Sequence, residues 1–228
     1  MSENTSKALK IALLVGQGLI LVGAYLWVPP HEGLGNLGRI AIFHIPTAWV
    51  ATVAFLVAMF YGIQYLRTRR LDNDLRSAAS AELGLLFTIL ATITGTIFGR
   101  FTWGLQSGIW WNWDPRETAI FVLLLIYGAY FALRSAVADE ERRASLSAVY
   151  SILAFVTVPF LIFVIPRVMF SLHPENALAG EGATAGILRN PRTMIIFLAS
   201  LVSTTGIYIW TYSLRLRLGQ LERRLLGT

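Results

Sequence analysis

Four of the seven tryptophans fall between residues 103 and 113, in the run Trp103-Gly-Leu-Gln-Ser-Gly-Ile-Trp-Trp-Asn-Trp-Asp-Pro-Arg-Glu117. An indole is a large apolar ring with one N–H donor, so one or two at a helix end read as ordinary membrane-interface anchors. A belt of anchors spreads its rings over many helix ends, whereas these are gathered in a single glycine-spaced loop. The clustering predicts a flat aromatic platform, suited to a large planar apolar ligand that gains from stacking and from leaving water. Histidines stand on both sides of this loop in the chain: His44 in Ile42-Phe-His-Ile-Pro-Thr-Ala-Trp49, and His173 in Phe170-Ser-Leu-His-Pro174. A lone interfacial histidine is more often a hydrogen-bonded structural residue. A pair beside an indole-rich loop points instead to the axial positions of a haem iron, which neutral imidazoles fill well. His31, in Pro29-Pro-His-Glu-Gly33, reads as an exposed turn residue and is the weakest candidate.

These residues need elements that bring them to one place. Hydrophobic residues make up 55% of the 228-residue chain and charged ones 14%, against about 45–50% and about 25% in an average soluble domain. With a mean hydropathy of +0.60, the chain is expected to lie largely in lipid. That excludes a secreted disulfide scaffold, a disordered tail or a nucleic-acid-binding domain as its whole character. Segments of about 20 mostly apolar residues are needed to cross a bilayer, and six are found, at roughly 8–28, 42–66, 80–99, 118–137, 146–166 and 194–213. The expected architecture is therefore all-α: one six-helix membrane domain over residues 1–228, with no room for a soluble domain. The first segment does not read as a cleavable signal, because its apolar stretch is long and Trp27-Val-Pro-Pro30 is a poor cleavage site.

Thirteen of the nineteen lysines and arginines fall on the side that holds both termini. Cytoplasmic loops are enriched in these residues, so both termini are expected to be cytoplasmic. The net charge of +6 is then mostly an orientation signal. Three outer loops remain, at about 29–41, 100–117 and 167–193, and they or their borders carry every histidine. Haem propionates would call for cations, and Arg39, Arg100, Arg116, Arg167, Arg189 and Arg192 are the outer-face candidates, which spacing does not rank. The inner loops around Arg67–Asp74 and Asp139–Arg143 read as short mixed-charge turns without a site. Within the membrane, Glu82 is expected to begin the third segment at the cytoplasmic interface. Gly95-x-x-x-Gly99 offers a weak helix-packing signal, and Pro159 should kink the fifth helix. The scarcity of intramembrane carboxylates argues against a pump or an ion-coupled transporter.

The chain contains no cysteine. It therefore has no C-x-x-C-H attachment site for haem and no thiol pair for disulfide exchange. There is no phosphate-binding loop of the Walker type either, so any ATP hydrolysis belongs to another subunit.

The Trp-Trp-x-Trp-Asp run at 110–114, the upstream His44-Ile-Pro-Thr-Ala-Trp49, the downstream Ser171-Leu-His-Pro174 and the six-helix layout together resemble the tryptophan-rich haem-handling family of cytochrome c biogenesis proteins. Within it they are most similar to the C component of the cytochrome c maturation system. The resemblance covers nearly the whole chain. It implies that His44 and His173 are the axial ligands of a non-covalent, transiently held haem b, and that Trp110, Trp111, Trp113 and Asp114 form the docking surface. Trp103 and Arg116 complete the candidate set. Where the family often has a Trp-Gly pair before the double tryptophan, Ser107-Gly108 stands here, with Trp103-Gly104 upstream. The resemblance further implies a multi-pass protein of the bacterial inner membrane with periplasmic loops. Its partners would be a membrane-anchored haem chaperone, ATP-binding-cassette subunits, a small membrane subunit and the bilayer, with no nucleic acid. No catalytic side chains are evident, so a binding and delivery protein is expected rather than an enzyme. Two alternatives use the same residues. A membrane haem or quinone oxidoreductase would need haem ligands at both depths, and no histidine lies in the inner half. A permease moving haem through the bilayer would need a polar route that the segments do not display.

Overall fold

A computed structural model describes residues 3–103, 108–172 and 189–226. Among the described residues the chain is helical, with one isolated bridge between His31 and Gly35 and no strand. Helix α1 (Glu3–Leu26) leads through a 3-10 turn (Asn36–Ile40) into α2 (Ala41–Thr68), followed by α3 (Leu71–Thr102) and α4 (Pro115–Ala136). Helix α5 (Glu140–Pro159) passes through a π turn (Phe160–Val164) into the short α6 (Ile165–Val168), and α7 (Pro191–Leu226) comes last. Six of these stretches are long and apolar enough to span a membrane, in agreement with the all-α, six-helix expectation.

The largest departures from the hydropathy reading are at α3 and α7. Helix α3 starts at Leu71 rather than near residue 80, and α7 runs to Leu226 rather than to about 213. The added turns are polar, so hydropathy stops at the apolar stretch while the backbone hydrogen bonding continues. They support one another: Arg223 donates to the Leu71 carbonyl at 3.0 Å and to Glu140 at 3.2 Å. Gly219 lets α7 approach Leu75 so closely that a Cβ there would sit 2.5 Å from Leu75 Cδ1. The supposed 67–74 loop is thereby reduced to a tight turn, in which Arg69 adopts the left-handed conformation (φ 54°) and its N–H closes on the Tyr65 carbonyl at 2.7 Å. Glu82 does not begin the third span; it lies well inside α3 and pairs with Arg215 at 2.7 Å.

In lipid, apolar surface alone gives helices little reason to associate, so small residues and interhelical hydrogen bonds carry the packing. Ser77 and Ser80 of α3 donate to the Ala58 and Ala54 carbonyls of α2 at 2.8 and 2.7 Å, contacts worth about 0.6 kcal/mol each. Gly62 leaves room for Ser151, and Gly84 for the Phe55 ring. Phe55 in turn stacks on Tyr127 of α4 with centroids 3.5 Å apart. At the end of the bundle that gathers the basic loops, Arg134 of α4 grips Asp74 of α3 with two bonds of 2.6 and 2.9 Å. At the opposite end, Arg39 donates to the Val28 carbonyl and Asp114 meets Ser171. The described parts of the loops predicted for one face therefore share one end of the bundle.

Candidate functional site

The tryptophan-rich loop owes its shape to the start of α4. Asp114 is the N-cap and accepts from the Arg116 N–H at 2.9 Å; Pro115 follows at the first helical position, and Glu117 stands three residues after the cap. Asp-Pro-Arg-Glu is thus a capping box. Its glutamate reaches back into the loop, where Oε2 accepts from the Asn112 N–H at 2.7 Å. Between these anchors Trp113 takes a positive φ of 54°, a conformation that costs a non-glycine residue about 1–3 kcal/mol and persists only where its surroundings enforce it. Edge-on packing against Trp111 and Phe121 and a bond from the Thr118 hydroxyl to its carbonyl at 3.2 Å supply that enforcement.

The rings do not form the expected flat platform. Trp111, Trp113 and Phe121 interlock with interplanar angles of 71–85° and centroids 6.2–6.3 Å apart, as ring quadrupoles favour. Trp110 lies apart from them, edge-on to Phe101 and beneath the Arg100 guanidinium at 5.6 Å. The two members most open to the surroundings are Trp113 and Trp110. The motif's indoles therefore present an edge-rich ridge.

Beside this ridge a cavity of about 380 Å³ opens between α2, α3, α4 and the π turn, within the roughly 300–1,000 Å³ of small-molecule sites. His44, Trp103, Trp111, Asp114, Arg116 and Glu117 line it, above a floor of alanine, threonine and isoleucine from the helices. The π turn after Pro159 contributes Leu161, Ile162 and Phe163. The kink expected at Pro159 is realised as that turn, and π turns are frequent at functional sites.

His44, one turn into α2, projects toward α3. Its Nδ1 lies 2.9 Å from Thr94 Oγ1, and that hydroxyl is directed at the Leu90 and Ala91 carbonyls at 2.9 and 3.1 Å. Threonine has one hydroxyl proton. When that proton goes to either carbonyl, Nδ1–H is the donor to Thr94 and Nε2 carries the lone pair. Gly95 makes the approach possible, since a Cβ there would fall 3.1 Å from His44 Cε1. One turn on, a Cβ at Gly99 would meet the Trp103 ring at 3.3 Å and Glu117 Oε1 at 3.4 Å. The Gly95-x-x-x-Gly99 pair thus faces site side chains, beyond any helix-packing role.

The structure brings together His44, Trp103, Trp111, Asp114 and Arg116, and leaves Trp110 and Trp113 off the cavity lining. His173 lies outside the described residues. His31 closes a tight turn, its Nδ1 accepting from the Gly33 N–H at 3.2 Å. Of the six outer arginines, Arg116 lines the cavity; Arg39 and Arg167 donate to the carbonyls of Val28 and Phe163, and Arg192 sits over Trp27. Sequence reasoning missed Glu117, whose capping-box spacing from Asp114 was visible, and Thr94, which carried no signal.

The family model described as heme exporter protein C matches residues 1–226. Relatives carrying the same description include that of Haemophilus influenzae, 30% identical over 220 residues, covering 92% of this chain and 82% of its own. Those of Bradyrhizobium diazoefficiens and Paracoccus denitrificans are 31% and 32% identical over 147 and 149 residues, each covering 64% of this chain. Against those two, the matching part spans 54% and 60% of the relative's length.

Proposed function

The chain belongs to the heme exporter protein C family, and from that membership we propose that it holds haem b at its outer face and hands it to a membrane-anchored haem chaperone for c-type cytochrome biogenesis. It does so as a multi-pass protein of the bacterial inner membrane with its site loops in the periplasm, beside ATP-binding-cassette subunits and a small membrane subunit. Haem is its cargo, held without covalent attachment; the chain contains no cysteine to attach it.

The observation that carries this reading is the placing of His44 on the wall of an apolar cavity that Trp103, Trp111 and Arg116 also line. With its own proton on the Leu90 or Ala91 carbonyl, the Thr94 hydroxyl favours the tautomer in which Nε2 can bind iron. His173 is assigned as the second axial ligand. Haem iron accepts two imidazoles along one axis, which leaves the porphyrin edge to the surrounding side chains. Trp103 and Trp111 cover apolar ring surface and exclude water, while Trp110 and Trp113, exposed on the ridge, extend the surface on which the cargo and its recipient meet. Arg116 is assigned to a propionate, because a guanidinium pairs a carboxylate with two parallel bonds. These contacts bind and orient and require no bond-making chemistry of the protein, which suits delivery rather than catalysis.

Absorption spectra of the purified full chain, oxidised and reduced, test the assignment. A bis-imidazole b-type spectrum is expected in the parent, with haem lost or weakened in His44→Ala and His173→Ala and cytochrome c maturation blocked. Haem-free parent protein, or variants that still support maturation, would sink it.

A further inference from the structure

Asp114 is buried, and its carboxylate satisfies more donors than a helix cap requires. Oδ1 accepts from the Arg116 N–H at 2.9 Å and from the Ser171 hydroxyl at 2.9 Å, while Oδ2 accepts from the Leu172 N–H at 2.6 Å. The first bond caps α4. The other two cross to a stretch more than fifty residues later in the chain, where the backbone has left α6 with Met169 extended. Ser171 is buried there, 7% exposed, although it belongs to no regular element. Hydrogen bonds to a carboxylate are shorter and roughly twice as strong as those between neutral groups, so this is a firm tie between the tryptophan loop and the Ser171–Leu172 backbone.

We propose that Asp114 is a positioning residue: it ties the tryptophan-rich loop to Ser171–Leu172, the residues that lead directly into His173, and so sets the two arms of the site at one separation. The inference rests on the reading of His173 as a haem ligand. It gives the acidic residue of the Trp-Trp-x-Trp-Asp run a task other than touching the cargo. The oxygens that a docking role would turn toward haem are taken up by three protein donors. The tie also explains why the carboxylate directly follows a strained tryptophan: the left-handed turn at Trp113 places the cap where both the helix and the distant backbone reach it.

The tie can be read without haem. The chain has no native cysteine, so spin labels at Leu125→Cys on α4 and at Leu172→Cys report their separation in the full chain in lipid nanodiscs. Both side chains are exposed, and Leu172→Cys keeps its backbone N–H donor. One narrow distance distribution is expected with Asp114, a broad one with Asp114→Ala, and intermediate ones with Ser171→Ala and with Asp114→Asn, which retains a single acceptor oxygen. Haemin titrated into the label-free proteins supplies the second arm. Asp114→Ala should bind about 10–100-fold more weakly, the range typical of lost outer-shell partners. It should also lose the six-coordinate low-spin spectrum and regain it on addition of imidazole, as His173→Ala does. Distributions unchanged in both Asp114→Ala and Ser171→Ala overturn the tie, whatever haem does. A broadened distribution with parental haem affinity and spectrum overturns the positioning role. Should Asp114→Ala fail to fold, Ser171→Ala decides by the same two readouts. A parent that binds no haemin overturns the haem reading and the positioning role with it, and the labels still judge the tie.

Discussion

Replacing Thr94 by valine tests the tautomer argument on which the His44 assignment depends. The substitution keeps the branched shape but puts a methyl group where the hydroxyl lies 2.9 Å from Nδ1. A hydrogen bond between neutral groups contributes about 1 kcal/mol, and losing an outer-shell partner of a metal-bound histidine weakens affinity by about 10–100-fold. The expected loss therefore lies at the low end, about tenfold in haemin affinity, or about 1.4 kcal/mol. Thr94→Ser keeps the hydroxyl and should restore parental binding. Haemin titration followed by absorbance gives the affinity, and the reduction potential gives an independent reading, since a weaker Nδ1–H bond makes the imidazole a poorer electron donor. Thr94→Val with parental affinity and potential, in a protein whose His44→Ala form has lost haem, would refute the tautomer argument while leaving His44 a ligand.

Gly95→Leu should fill the cavity beside His44, where a Cβ alone comes to 3.1 Å from Cε1. Haemin binding is expected to disappear from a folded protein, checked by titration beside circular dichroism. Arg116→Ala should weaken haemin binding while Arg39→Ala does not, because Arg39 is held by the Val28 carbonyl at 2.7 Å; equal effects would remove Arg116 from the propionate role. Asp74→Ala strands Arg134, whose side chain is 16% exposed, and should cost about 3–5 kcal/mol. Glu82→Ala breaks a pair whose members are 48% and 36% exposed and should cost under about 1 kcal/mol. Thermal unfolding in detergent compares the two, and similar midpoints would contradict the burial argument.

The spans, and the placing of His44 and the described part of the tryptophan-rich loop at one end, were legible because they rest on composition and on the asymmetry of basic residues. The true starts and ends of α3 and α7 were not, since Leu71–Asp74 and Arg215–Leu226 are held as helix by contacts between them, such as Arg223 with the Leu71 carbonyl. His44, Trp103, Trp111 and Arg116 were named from residue type and meet around one cavity. Thr94 was invisible because its part is set by how α3 faces α2, fifty residues away in the chain. The glycines at 95 and 99 were visible but read for the wrong neighbour. A small-residue pair on a membrane helix usually admits another backbone, whereas these admit an imidazole, an indole and a carboxylate.

Residue type misled most at the densest motif. An aromatic run ending in a carboxylate invites the view that every member faces one ligand. The packing divides the run instead: Trp111 reaches the cavity wall, Trp113 and Trp110 stand out on a ridge, and the Asp114 carboxylate and Glu117 Oε2 are taken up by backbone N–H groups and a serine. Such a division follows from what a loop at a membrane surface must do. Its described residues 108–114 lie in no strand or helix that would satisfy their amides, and a Trp113 held at positive φ has to be offset locally. Carboxylates at the cap and three residues beyond it supply that support, leaving the indoles free to present their surfaces. The polar residues of the motif are accordingly where substitutions should change the geometry of haem binding, and the exposed tryptophans where they should change its hand-over.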